Sequence, residues 1–311
     1  MRITALAGGT GAAKLLRGLS HVLDPRDLTV IVNTGDDAEI WGLHVSPDLD
    51  TVCYTLAGLI DERKGWGLAG ETFQALDQIS RFGEPVWFNL GDRDLATHLH
   101  RTRLLREGRT LSEVTRVIAS ALGVTASVLP MSDQPVRTRI LGPDGWLAFQ
   151  EYFVREKAQV EVRAVNYAGA PVAHAAPGVL DAIATADAVL VCPSNPITSV
   201  GPILAVPGVV EGLRTTEATV AAISPIVGGD AVSGPAGRLM AAAGLPVSAL
   251  GVARAYAGWL DLLVFDERDR ALGPALRAAG VTPVAAPTIM SSRDAEVALA
   301  RDVLRALGSR P

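Results

Sequence analysis

The stretch NTGDDAEIWGLHVSPDLDT, Asn33 to Thr51, carries five carboxylates, Asp36, Asp37, Glu39, Asp48 and Asp50, and neither Lys nor Arg. Paired oxygen donors without local cations suit Mg2+, a hard ion that takes one or two carboxylates and completes its shell with phosphate oxygens and water. Thiolate or histidine clusters that would suit zinc are absent from the sequence. At least one of these acids is therefore expected to serve a metal or a substrate. Asp50 also reads as a helix N-cap, since it directly precedes TVCYTLAGL.

A second cluster is Gly8, Gly9, Thr10 and Gly11. Glycines at a strand-to-helix turn let backbone approach a ligand closely, and the helix start offers free N–H groups to a phosphate. The turn is neither G-x-G-x-x-G nor G-x-x-x-x-G-K-[ST]. Lys14, one turn further on, is a candidate phosphate partner and equally a solvated lysine. Ser194 and Asn195, in PSNPITSVGPI, place short polar groups in a proline-stiffened loop. GDRDLATHLHRT adds Arg93, Arg101 and Arg103 near His98. Arg forks suit phosphates and planar rings. His98 and His100 cannot share one helix face, so a two-His metal site is not expected. No G-x-S-x-G or H-E-x-x-H occurs, which favours chemistry by positioning and a metal over covalent catalysis.

These groups need a scaffold. Ile3 to Ala7 and LTVIV, Leu28 to Val32, are short apolar runs of the kind a parallel strand buried on both faces shows. Between them Leu15, Leu16, Leu19, Val22 and Leu23 recur at helical spacing. AVLVCPSNP, VAAISPIVGG and LDLLVFDE repeat this grammar, with helices expected near 234–243, 268–279 and 293–307. The fold class is α/β, a mostly parallel sheet with helices on both faces. The middle departs from it. Residues 52–122 read as helical around a short PVWFNL strand, and 127–167 as antiparallel strands, RTRIL, a turn at Pro143 to Gly145, WLAFQEYFV and VEVRAVNY. The expected division is a nucleotide-binding core from 1–50 and 168–311, and a helical insert with an antiparallel β subdomain from 51–167. In open α/β sheets ligands sit beyond the carboxyl ends of the strands. The tips GGTG, NTGDD, PSNP, SPIVGG and FDERDR should therefore converge on one crevice.

Composition sets the outer limits. The 311 residues are 49% hydrophobic and 20% charged, enough for a sizeable core. A net charge of -5 argues against nucleic acid as a partner. Cys53 and Cys192 lie far apart in apolar stretches and read as buried thiols. No apolar run reaches the ~18 residues of a membrane span, and no signal-peptide pattern opens the chain, so a cytoplasmic protein without membrane contact is expected.

Taken in order, GGTG with Lys14, NTGDD, SPDLDT, GDRDLATH, LPMSD, FQEYFV, PSNP with SVGPIL, SPIVGG, SGPAG and FDERDR resemble the 2-phospho-L-lactate transferase family of coenzyme F-420 biosynthesis. The resemblance implies a Rossmann-like core and a homodimer. It also implies transfer of the phospho-acid of a guanosine diphosphate ester of a three-carbon acid to FO, the deazaflavin 7,8-didemethyl-8-hydroxy-5-deazariboflavin. GMP would leave, with Mg2+ assistance. By this resemblance Asp50 and Arg93 fall where the family contacts FO, with His98 and Asp133 as further substrate contacts. Gly8 to Gly11, Lys14, Ser194 and Asn195 fall on the guanosine diphosphate side, and Asp36 and Asp50 are the choice for metal contact and catalysis. Two rivals remain: a nucleotide-sugar-binding regulator of the gluconeogenesis factor type, and a nicotinamide oxidoreductase, which the missing G-x-G-x-x-G disfavours.

Overall fold

The computed structural model describes residues 1–308. Seven strands form one all-parallel sheet: β1 (Ile3–Ala7), β2 (Leu28–Val32), β5 (Ser127–Pro130), β9 (Ala188–Val191), β10 (Thr219–Ile223), β13 (Leu262–Asp266) and β14 (Thr282–Ala286). Their spatial order is β14-β13-β10-β9-β1-β2-β5. Every residue of β1, β9 and β13 is buried, because helices cover both faces. Alternation along the strands divides the core: Leu6, Val189, Val191 and Phe265 join one cluster, while Ala5, Ala7, Leu190 and Val264 join the other. From β1 the chain first builds outward through β2 and β5, then returns to build the other way from β9. The reversal between β1 and β9 is the Rossmann-like switch point, where the ends of two adjacent strands open a crevice.

Helix α1 (Gly9–Leu19) leaves β1 directly. Its Leu15, Leu16 and Leu19 meet Leu299, Ala300 and Val303 of the helix Arg293–Gly308 on one face of the sheet. After β2 come a small hairpin, β3 (Ala38–Ile40) and β4 (Leu43–Val45), and then helices α2 (Pro47–Leu56), α3 (Gln74–Arg81), α4 (Asp92–Arg106) and α5 (Leu111–Ala121). An antiparallel sheet, β7-β6-β8, is made by β6 (Arg137–Gly142), β7 (Gly145–Ala148) and β8 (Ala164–Ala168). A second hairpin, β11 (Ile226–Val227) with β12 (Asp230–Ala231), follows β10.

Four local expectations are corrected. PVWFNL is not a strand: Trp87, Phe88 and Leu90 pack onto Ile40 and Val45 of the hairpin, so its apolar residues cover a neighbour instead of pairing. Ser127–Pro130 is parallel and lies beside β2 at the sheet edge, so the antiparallel piece starts later. The run WLAFQEYFV is extended only to Ala148. Residues Glu151–Arg155 form a π-helical turn, because Phe149, Tyr152 and Phe153 follow helical spacing and Arg155 pairs with Glu151 at 2.8 Å. Asp50 is not an N-cap; Ser46 precedes α2, and Asp48 and Asp50 both fall in its first turn.

Among the described residues no single helix is long and apolar enough to cross a bilayer. One bent pair, Pro196–Ala205 with Val209–Thr215, is apolar enough by composition, but Ile197, Val200, Ile203 and Val209 are spent in the core.

Candidate active site

The switch point holds a cavity of about 550 Å³. The glycine turn and the PSNP loop form its floor. A Cβ on Gly11 would sit 2.2 Å from the Pro193 carbonyl oxygen, so the two loops touch only because Gly11 has no side chain. Asp48 ties the turn down. Its Oδ1 accepts from Gly9 N at 2.8 Å and its Oδ2 from Asn33 Nδ2 at 2.9 Å. Asn33 Nδ2 also donates to the Thr198 carbonyl at 3.3 Å, which joins the ends of β2 and β9. Asn195 Oδ1 accepts from Ile197 N at 3.0 Å and shapes its own loop. The Ser194 hydroxyl is buried and has no protein partner. Lys14 lines the cavity with its Nζ donating to the Met290 carbonyl at 3.2 Å.

The acidic turn forms a second wall. Asn33 Oδ1 accepts from Gly35 N, an Asx turn that swings Asp36 off the end of β2. A Cβ on Gly35 would meet Thr138 Oγ1 at 2.6 Å, so the tight approach needs glycine. Asp37 turns away from the cavity and accepts from His44 Nε2 and Ser46 Oγ, each at 3.0 Å. Asp36 faces the cavity, and its Oδ1 is buried with no partner. Burial and the neighbouring Asp48 hold the Asp36 carboxyl well above the usual carboxylate range. Asp48, buried too, is pushed up to about 6.

Helix α4 supplies the third wall, and its inward face is polar. Asp94, His98 and Arg101 are buried at i, i+4 and i+7. The Arg101 guanidinium grips Asp50 with both ends: Nη1 donates to Oδ2 at 3.0 Å and Nη2 donates to Oδ1. The sequence shows five acids with no Lys or Arg among them, but the fold brings a cation from outside the stretch, Arg101, to Asp50, while Asp37 is met by His44 from within it. Tyr54 donates to Asp94 Oδ1 at 2.7 Å and also bonds Thr97 Oγ1. Burial would raise the Asp94 carboxyl, but His98, Tyr54 and Arg101 together hold it below the usual range. Phe149, Phe153 and Trp66 line the cavity as well, with Phe149 and Phe153 stacked at 5.6 Å, so an apolar ring can lie beside the polar walls.

Of the residues singled out from sequence, Gly8, Gly9, Thr10, Gly11, Lys14, Asp36, Asp50, His98, Ser194 and Asn195 all line this one cavity. Arg93 does not. It is exposed and donates to the Ala69 carbonyl at 2.7 Å. Asp133 also lies elsewhere: it accepts from Ser112 N and Oγ in the first turn of α5, whose N-cap is Thr110. Asp266 of FDERDR acts from behind, accepting from Thr288 N at 3.0 Å and Thr288 Oγ1 at 3.1 Å, and so sets the loop that carries Met290. Sequence reasoning did not assign Asp48, Asp94 or Arg101 to the site. The Asp94–His98–Arg101 spacing was the available signal.

A cation fits this donor set. An unpartnered buried carboxylate oxygen on Asp36, beside a second carboxylate, is the environment a hard ion relieves. Ligand atoms of Asp50, Asp94 and His98 also lie within 4.8 Å of one another and could hold a metal by geometry. There, however, the Arg101 cation already matches the charge of Asp50.

The model of the family described as 2-phospho-L-lactate transferase CofD matches residues 3–297. A phosphoenolpyruvate transferase of Streptomyces griseus is 45% identical over 98% of each chain. A 2-phospho-L-lactate transferase of Methanosarcina mazei is 42% identical, over 96% of this chain and 98% of its own. Among solved structures, a UPF0052-family protein of Bacillus halodurans aligns with a TM-score of 0.64 at 18% identity, over 97% of this chain and 98% of its own, which is a likeness of fold.

Proposed function

The chain belongs to the 2-phospho-L-lactate transferase family and is a phospho-acid transferase; from that premise we propose that its cavity transfers the phospho-acid of a guanosine diphosphate ester to the terminal ribityl hydroxyl of FO. The hydroxyl oxygen attacks the phosphorus that bears the acid. A new P–O bond forms, and the bond to the bridging oxygen breaks, with its electron pair leaving on GMP. The product is F-420-0 or its dehydro form. The observation that carries the reading is the convergence, at one switch point, of a glycine turn, an Asp36 carboxylate with one unpartnered buried oxygen and a clamped Asp50.

The glycine turn and PSNP loop suit the diphosphate, since the α1 start and the free Ser194 hydroxyl offer hydrogen bonds without competing charge. Asp36 would hold Mg2+, and the bound ion would supply charge neutralisation along the diphosphate and at the departing phosphate. Asp50 has lone pairs left after binding Arg101. We place it at the attacking hydroxyl, to orient it and receive its proton. The stacked Phe149 and Phe153 suit the flat deazaflavin. As in other phosphoryl transfers, most of the rate would come from alignment and electrostatics. A homodimer, implied by the family resemblance, belongs to the same proposal.

The names of the relatives point to two three-carbon acids, enolpyruvate and lactate. Purified protein with FO, Mg2+ and the guanosine diphosphate ester of lactate, enolpyruvate or glycerate should release GMP stoichiometrically with an F-420-0-type product from at least one donor. No GMP from any donor, together with a melting-temperature rise on adding a UDP-sugar and none on adding GDP, would replace this reading with that of a nucleotide-sugar regulator.

A further inference from the structure

Arg101 does not line the cavity, yet it touches two groups that do. It is 2% exposed. Its Nη1 lies 3.0 Å from Asp50 Oδ2 and 3.2 Å from His98 Nδ1, while Nη2 bonds Asp50 Oδ1. A guanidinium keeps its protons and has no acceptor lone pair, so every bond it makes is one it donates. His98 Nδ1 must therefore be the acceptor. A neutral imidazole that accepts at Nδ1 carries its hydrogen at Nε2. Nε2 lies 3.3 Å from Asp94 Oδ1, a contact that helps hold the Asp94 carboxyl low but is not an aligned hydrogen bond, and His98 is 1% exposed and lines the cavity.

We propose that Arg101 is a positioning residue with two outputs: it orients the Asp50 carboxylate, and it locks His98 as the Nε2–H tautomer, so that His98 faces the cavity only as a hydrogen-bond donor. The catalytic part rests on the proposed phosphoryl transfer; the tautomer is a property of the resting protein. The assignment divides the labour on this wall. His98 has no free lone pair for the proton of an attacking hydroxyl and serves instead as a donor to an oxygen of the bound substrate. Asp50 is left as the acceptor. Plain neutralisation of a buried acid would need only a charge at this position. The fork is what reaches two groups at once, and a lysine ammonium does not reproduce it.

The test is the nitrogen-15 NMR spectrum of the imidazoles. The chain has five histidines, so a His98→Gln sample identifies the His98 signals by their loss. In the wild type we expect one tautomer, with Nδ1 unprotonated and Nε2 protonated. In Arg101→Lys we expect a mixture, because Nδ1 can then carry a hydrogen toward Asp50 Oδ2, 3.7 Å away. A wild-type spectrum showing Nδ1–H, or a mixture, overturns the proposal, and this arm needs no substrate, only a His98→Gln sample that folds and so leaves the other imidazole signals in place. Kinetics supply the second arm. A Gln amide nitrogen stands near the Nε2 position and donates, but it cannot act as a base. Loss of a general base costs about 10²-fold or more in kcat, so His98→Gln should stay within about 5-fold while His98→Ala falls further. Arg101→Lys should lower kcat at least ~10-fold with the KM for FO within about 2-fold, because the group it orients acts in the transition state. Equal losses in His98→Gln and His98→Ala overturn the donor role. If the wild type transfers nothing from any guanosine diphosphate ester, the proposed function fails, while the NMR arm still decides the tautomer.

Discussion

Asp36 and Asp50 line the same cavity and are almost equally buried, at 6% and 5% exposure. Asp50 comes with its cation, since Arg101 donates to both of its oxygens. Asp36 has a buried oxygen with no partner and a second carboxylate, Asp48, next to it. Two chains of cause lie behind the contrast. Asp50 sits in the first turn of α2, opposite an α4 face whose i, i+4, i+7 positions are Asp94, His98 and Arg101, so its environment is complete within the protein. Asp36 sits on a turn at the end of a sheet strand, where the fold leaves space for a ligand. A buried charge left without a partner is costly unless it is protonated or bound by something else. The Asp50 wall is thus a finished ion pair, and the Asp36 wall keeps a buried carboxylate oxygen that no protein group engages.

The sharpest way to break this contrast is Asp50→Asn. The amide keeps the shape but removes the charge that Arg101 needs. Breaking one side of a buried pair costs about 3–5 kcal/mol, so the melting temperature should fall by several degrees. Transfer should fall by ~10²-fold or more, the scale of deleting one electrostatic element of a site. A chain with normal stability and activity within a few-fold of wild type would take Asp50 out of the machinery.

Asp36→Ala should act in the opposite sense on stability. Without a cation it removes a repelling, poorly solvated group, so the metal-free melting temperature should rise. The extra stabilisation that Mg2+ gives in the presence of GDP should vanish, because a ligand stabilises only through its preference for the folded state. Equal stabilisation of the wild type by GDP with Mg2+ and by GDP with EDTA would sink the metal assignment.

The pH dependence separates the walls again. Asp48 is raised from 3.8 to about 6 by burial, and Asp36 is raised as well. The folded state therefore holds these protons more tightly than the unfolded state does. The stability Asp48 contributes is complete below about 3.8 and is lost as pH rises through about 6, and that of Asp36 is lost in the same direction as pH rises through its own raised value. Asp94 is shifted the other way. It contributes stability above 3.8 that is lost as pH falls through its lowered value. Metal-free wild type should lose melting temperature between about pH 4 and 7, and Mg2+ with GDP should flatten that decline. Asp36→Ala should weaken the decline even without Mg2+. The same slope in wild type and Asp36→Ala would mean that the Asp36 carboxyl is not the strained one.

The difference between the walls also marks what sequence could reveal. The glycine turn and PSNP were legible because each follows a fully apolar run, and strand ends in a parallel sheet are where ligands bind. The role of Asp48 was not legible, since it depends on α2 folding its first turn back onto Gly9, a contact across 39 positions. In the sequence Arg101 shows only a positive charge. Its meaning came from the spacing with Asp94 and His98 on a helix whose buried face is unusually polar, a pattern that apolar periodicity does not detect. PVWFNL misled for the converse reason: a short apolar run looks alike whether it pairs in a sheet or covers a hairpin.

Arg93 gives the smallest expected effect and the finest test of where the α4 wall ends. The family resemblance places it against FO, yet it is exposed and outside the cavity, one residue before Asp94. Its Nη1 bonds the Ala69 carbonyl, and the segment just before Ala69 carries Trp66 and Gly67, which do line the cavity. Arg93 therefore braces the segment that carries Trp66 and Gly67. In Arg93→Lys a flexible ammonium replaces the fork and braces that segment less well. Because the site is exposed, stability should change by less than about 0.5 kcal/mol. The KM for FO should rise a few-fold with kcat nearly unchanged, the signature of losing an interaction made equally in ground and transition states. A fall in kcat with constant KM would instead place Arg93 with Asp50 and Arg101 in the aligned part of the site. No change in either would confine it to the protein surface.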